Sequence, residues 1–487
     1  MRRAALALVA AIAAAGCASI APSARIESPD PSLRECATWF RDLDARIDAA
    51  GVRDGQDARI AGFPYLRASR FLASFGEEAR GDDAKLRALT ERMRALDLQA
   101  RRAEIANLGA PEDSLDRAKE CGARLESADL TDAGARARLL GASTVADDYS
   151  TTLRGFGLYA LTKIPFTSGV RRYQAEVRAS YAAPLRVPEG GSLLALVPPR
   201  GAPLARSEVA AILRRSAENP LRVPEPGPAA LEELFRTYAP IFELEVTGDY
   251  DRPGALGWAG ASGSPAVDPS RPVVYRLAAW TRDGEASLLQ LVYVLWFPQR
   301  PPQSEGDLLS GTLDGVVWRV TLAPDGEPLV YDTIHPCGCY HLFFPTPRAV
   351  PRPAPDGEPE WMLAPEALPR VADGERVRVR VATKTHYVAR VARVAPDGGP
   401  WAGAAYALAP YDELRSLPLP GGGRRSMFSP QGLVPGTERA ERYYFWPMGI
   451  CSAGAMRQWG REPTAFVGRR HFDTADLMEQ RFSLRPR

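Results

Sequence analysis

Lysine is almost missing from this chain. It occurs only at positions 85, 119, 163 and 384, so 57 of the 61 basic residues are arginine. Alanine, glycine and proline are abundant at the same time, a bias that follows from a GC-rich coding sequence better than from function. An excess of one charge is also lacking. The formal net charge is +2, and without Arg2 and Arg3 the acidic and basic residues balance at 59 each. General nucleic-acid binding needs a cationic surface and is excluded on that ground. No apolar run after the first twenty residues is long enough to span a bilayer. Ser287 to Phe297 is the clearest such run, and it reads as a buried strand. No repeat at solenoid periods is found. Histidine and cysteine are scarce, at four and six.

What is present begins with an address. Met1-Arg2-Arg3 and the small apolar residues Ala4 to Gly16 form a signal peptide. Its end, Ala14-Ala15-Gly16-Cys17, resembles the lipobox of bacterial lipoproteins. That resemblance covers about twenty residues. It implies cleavage before Cys17 and acylation of Cys17, with palmitate among the chains. Several acyl chains anchor durably where one does so marginally. Ala18 after the cysteine implies sorting to the outer membrane, with the body facing the periplasm. No family covers the rest of the chain.

The remaining organisation is read from periodicity. Residues 17–31 form a lipidated, polar tether. A helical domain is expected over 32–182. Ser32 and Glu35 suggest a capping box, and Leu33, Cys36, Phe40, Leu43 and Ile47 recur at helical spacing. Further helices carry Leu86 to Ala100 and Leu115 to Leu125. Residues 149–173, rich in Phe and Tyr and broken by Pro165, are read as a buried, kinked helix in preference to a segment dipping into the membrane surface. A connector with short helices fills 183–238.

The period then changes to alternation. Phe242-Glu243-Leu244-Glu245-Val246 and several later runs, with Asp283-Gly284 and Asp325-Gly326 between them, predict strands. Val377, Val379 and Val381 alternating with arginines predict a half-exposed strand. The fold class is thus α+β: an N-terminal helical domain, then a mainly antiparallel β domain over 239–415, as a sandwich or open barrel. Residues 416–487 are a long Gly/Pro-rich loop and a segment packed on the β domain, with a helical stretch near 453–459.

Reactive side chains concentrate in His335-Pro336-Cys337-Gly338-Cys339-Tyr340-His341. On a straight strand the outer histidines would lie about 20 Å apart. Pro336 and Gly338 favour a turn, which would fold both histidines inward beside the thiols. Thiolate and imidazole suit zinc or copper(I). The candidate ligands are His335, Cys337, Cys339, His341 and His471, but the spacing is no standard zinc motif.

The thiols of Cys36, Cys121, Cys337, Cys339 and Cys451 are odd in number. Cys36 and Cys121 fall on core-facing sides of two helices and are expected to bridge in an oxidising envelope. For the rest, a bridge from Cys451 to Cys337 or Cys339 leads, followed by a metal site, then a redox Cys337–Cys339 pair. Cys451, before an expected helix and with His471 and Asp473 downstream, offers a weaker Cys–His nucleophile. His386 is read as a solvated loop residue, and Asp249-Tyr250-Asp251 as a plain turn.

The leading expectation is a lipid-anchored envelope protein that binds or scaffolds, with an envelope protein or a glycan as partner. The alternative is a zinc- or copper-dependent hydrolase centred on residues 335–341.

Overall fold

A computed structural model describes residues 21–111, 113–260, 263–395 and 403–484. The leader, Cys17 and the lipobox lie outside the described residues.

The helices are α1 (Pro31–Ala49), α2 (Asp83–Leu108), α3 (Ser114–Thr131), α4 (Ala133–Ala142), α5 (Thr151–Phe156), α6 (Tyr159–Ala182), α7 (Arg206–Ser216) and α8 (Pro228–Tyr238), besides shorter turns. Helix α1 begins two residues earlier than the Ser32/Glu35 pattern suggests. Asp30 is the cap, accepting from the Ser32 amide at 2.8 Å, with Pro31 at the first helical position. Gly109 ends α2 with φ 63°, a conformation glycine adopts without a Cβ clash. The apolar faces of α1 to α4 close on the hairpin formed by residues 58–60 and 63–68, and Leu221 and Val223 from the connector complete this core. Cys36 and Cys121 bridge within it, as expected.

Within the tether expected over 17–31, the described residues are not free. Ala24–Glu27 form a 3-10 turn, and Arg25 pairs with Asp129 at 2.6 Å.

The strands of the two larger sheets lie C-terminal to the bundle: β1 (Ser192–Val197), β2 (Ile241–Val246), β3 (Val273–Asp283), β4 (Ala286–Arg300), β5 (Gly311–Leu322), β6 (Pro328–Ile334), β7 (Leu342–Pro345), β8 (Arg376–Val381), β9 (Val388–Val394), β10 (Ala404–Ala405) and β11 (Ala407–Pro410). One sheet has the order β7-β6-β5-β4-β3-β11 and the other β9-β8-β2-β1-β10. Leu244 from one sheet and Leu291, Tyr293 and Trp318 from the other enter a single core, so the sheets are packed layers. The fold is α+β, helical first and sheet-rich later, with no closed barrel among the described residues. Most pairs are antiparallel; β8 runs parallel to β2, with Arg380 opposite Glu243.

The half-exposed reading of β8 holds at Arg376 and Arg378, which are half-buried, and fails at Arg380. Arg380 donates to Glu245 at 2.9 Å and to Glu243 at 3.1 Å, and all three side chains are buried. At this position charges on two strands neutralise each other across the sheet, so the outward arginine is buried.

The C-terminal segment ties the layers together. Arg415 grips Asp54 in the helical core with two 2.9 Å bonds, and Arg70 reaches Asp473 at 2.9 Å. The helix expected near 453–459 is absent; these residues form turns. Helix α6 packs Tyr173, Val177 and Tyr181 against the β core, not against the α1–α4 bundle.

Candidate functional site

Residues 335–341 close the hairpin between β6 and β7. The His335 amide donates to the Cys339 carbonyl at 3.0 Å, and the Gly338 amide to the His335 carbonyl at 2.8 Å. Gly338 has φ 87°, and a Cβ there would stand 2.2 Å from the Pro463 carbonyl oxygen, so only glycine fits. Tyr340 takes a left-handed φ of 62°. A turn is present, as expected, but it does not gather the histidines beside the thiols. It sends each to a different carboxylate.

His335 Nδ1 lies 3.1 Å from Asp314 Oδ1 on β5. The other oxygen of the same carboxylate is 2.9 Å from His386 Nδ1. His386 Nε2 then faces Asp251 Oδ1 at 3.5 Å, a charge contact longer than a hydrogen bond. Arg439 completes the cluster, donating to Asp314 Oδ1 at 3.3 Å. Every member is buried. Two readings from sequence are corrected by this. His386 is not solvated, and Asp251 is not a plain turn residue: it also accepts from the Lys384 amide and the Thr383 hydroxyl, both at 2.7 Å.

The charge states follow from burial against neighbours. Burial opposes the His386 imidazolium, but Asp251 and Asp314 outweigh it and hold its pKa above the ordinary value. His335 has only the shared Asp314, so burial wins and its pKa falls. Burial also opposes the Asp314 carboxylate, yet His335, Arg439 and His386 hold its pKa well below the ordinary range. The cluster is therefore a carboxylate bracketed by one favoured cation, one disfavoured cation and a permanent one.

His341 belongs to a second network. Its Nε2 meets Asp332 Oδ2 at 2.9 Å, and Arg319 Nε reaches the other oxygen at 2.9 Å. Burial lowers the His341 pKa to about 3 despite Asp332, so the ring is neutral, with Nε2 donating. Its buried Nδ1 has no hydrogen-bond partner among the described residues. His471 belongs to a third. Its Nε2 accepts from the Asp148 amide at 3.2 Å, and Asp473 is engaged by Arg70.

The five residues proposed as metal ligands are thus divided among separate networks. No group of three or more His, Cys, Asp or Glu is placed to hold an ion among the described residues. The bridge expected from Cys451 is absent too. Cys337 and Cys339 are buried free thiols, and Cys451 is a free thiol at the surface. The Cys337 thiol beside it, together with burial, pushes the Cys339 pKa well up. For Cys451, the helix that would have activated it is missing, and partial desolvation raises its pKa rather than lowering it.

In front of these networks lies a half-open cavity of about 620 Å³, within the usual span of small-molecule sites, roughly 300–1,000 Å³. Helix α6 forms one wall with Phe166, Val170 and Tyr173. The 338–341 turn forms the floor, and Glu441, Phe445 and Phe466 close the far side. Gly169 on α6 faces open space: a Cβ there meets nothing within 4 Å. Tyr340 and Tyr387, with ring centroids 4.5 Å apart, line the cavity and pack on His335 behind it. His341 lines it directly. Two further polar groups are tuned by burial. Glu441 is pushed up to about 7 despite Arg439 and Arg300, and Glu360 is raised as well.

Asp314, Arg439 and Glu441 went unread in the sequence. Asp314 follows Gly311-Thr312-Leu313 at the start of an apolar strand, and an isolated acid there was the one local hint.

No family model, curated protein or solved structure matches this chain.

Proposed function

We propose that this chain is a lipid-anchored envelope protein, acylated at Cys17 and facing the periplasm from the outer membrane, and that it binds a single-chain amphiphile in the α6 cavity. The carrying observation is the cavity itself: aromatic and aliphatic walls, with a few polar groups whose proton states are set by burial. An acyl chain would lie against Phe166, Val170 and Phe445. The Asp314 cluster stands behind Tyr340 and Tyr387 and supports the floor; it does not line the cavity. A binding role is preferred to hydrolysis because the thiol at this wall, Cys339, has its pKa pushed well up by the neighbouring Cys337 and by burial, which disfavours the nucleophilic thiolate.

The test is titration of the purified full chain with cis-parinaric acid, a fluorescent fatty acid. Gly169→Phe adds a ring at a cavity-lining helical position where a new Cβ meets nothing within 4 Å. It should weaken binding at least ten-fold with an unchanged melting temperature. Absence of binding by the unaltered chain, or equal affinity in the variant, removes the reading.

A further inference from the structure

The segment read from sequence as a buried helix is the most exposed apolar surface of the described protein. Phe156, Leu158, Leu161 and Ile164 are 63–65 % exposed. Beside them stand Tyr443 and Tyr444, at 65 % and 59 %, and Trp446. The two segments touch. Gly157 packs on Pro447, leaving no room for a Cβ, and Phe166 meets Phe445 at 5.3 Å between centroids. They therefore form one ledge, at the rim of the cavity that Phe166 and Phe445 line. Leu158 keeps its side chain outward although its backbone is left-handed, φ 47°.

We infer that this ledge docks on an anionic lipid bilayer. Two observations choose the bilayer over other occupants. The first is charge. Residues 151–182 carry five basic residues, Arg154, Lys163, Arg171, Arg172 and Arg178, against one acid, Glu176, in a chain that is otherwise balanced. Arg171, Arg172 and Arg178 are exposed. A basic, apolar helical face is the composition of segments that lie in the headgroup region. A second copy of this chain on the same two-fold face would set these arginines against each other. The second is residue type. Tyrosine and tryptophan beside aliphatic side chains match the level where amphipathic rings settle at a membrane–water boundary. Helix α6 lies on the surface and does not cross it; no described helix is long and apolar enough to span a bilayer.

This inference stands apart from ligand binding, and its test keeps the two separate. The full chain is reconstituted through its N-terminal segment into phosphatidylcholine vesicles with or without about one-third phosphatidylglycerol, a proportion chosen to give a strongly negative surface. Hydroxyl-radical labelling then reads Tyr443, Tyr444 and Phe156. Labelling should fall at least three-fold on the anionic vesicles relative to neutral ones. The paired change Leu161→Glu and Ile164→Glu, at exposed positions that leave the core untouched, should restore it while cis-parinaric acid binding persists. Equal labelling on both vesicles overturns the inference. So does protection that arises without vesicles as protein concentration rises, which would make a second copy the occupant.

Discussion

Asp314 Oδ2 stands 2.9 Å from His386 Nδ1, joining positions 72 residues apart inside the β core. The same carboxylate holds His335 and Arg439, so one side chain satisfies three cationic or polarisable neighbours. Removing its charge leaves Arg439 and His386 buried without their common partner. Asp314→Asn should therefore cost about 3–5 kcal/mol, the usual penalty for breaking a buried pair from one side. Denaturant midpoints read this directly. Asp249→Asn, at a side chain open to solvent, is the control and should move nothing. A loss at Asp314 below about 1 kcal/mol would show that the cluster is energetically idle.

His341 should stay neutral far into acid. Its ordinary value is 6.5 and burial takes it to about 3. A depressed histidine means that the unfolded chain binds a proton which the folded chain refuses. Stability is then lost as pH falls from about 6.5 toward 3. Imidazole nitrogen chemical shifts should report the Nε2–H tautomer at pH 5, without titration. A midpoint near 6.5 would contradict the desolvation of the ring.

Glu441 has the opposite sign. Its ordinary value is 4.5 and burial raises it to about 7. Between those values the folded chain keeps a proton that the unfolded chain releases, so stability declines as pH rises and levels off above 7. Glu441→Gln should leave the melting temperature unchanged near pH 4.5 and raise it at pH 8. At about 1.4 kcal/mol per pKa unit the ceiling is about 3 kcal/mol. Identical shifts at both pH values would point to packing instead.

The Cys36–Cys121 bridge closes a separation of 85 residues. Chain-entropy reasoning gives about 4–5 kcal/mol for a loop of that length. Cys36→Ala with Cys121→Ala should lower the unfolding midpoint by that order. Among the cysteines of the described residues, a thiol reagent should modify Cys451 in the native unaltered chain, and Cys337 and Cys339 only after unfolding. A native mass increase at Cys337 or Cys339 would refute their burial.

Much of the fold was legible because helix and strand leave different periods. The α1 face, Cys36-Phe40-Leu43-Ile47, could be read as buried before any coordinate was known, and with it the bridge to Cys121. The β runs after residue 240 were legible for the same reason. Residues 149–173 misled because an apolar helix looks the same whether it faces a core or is left uncovered. Its partner decides, and among the described residues part of α6 has none. The loop at 335–341 was found because its residue types are rare. Its role was misread because metal spacing is a local pattern, whereas carboxylates such as Asp314 and Asp332 come from neighbouring strands.

By itself the sequence determined the change from helices to strands along the chain, the near-balance of charge, the Cys36–Cys121 pair and the turn at Gly338. Those depend on periodicity, composition and backbone conformation, which act over a few residues. Only the tertiary structure decided that His335 and His386 share Asp314, that His341 stays neutral beside a cavity, and that Phe156 to Ile164 lie bare. Proton states and exposure depend on which distant residues fold against a group, and no span of adjacent residues carries that information.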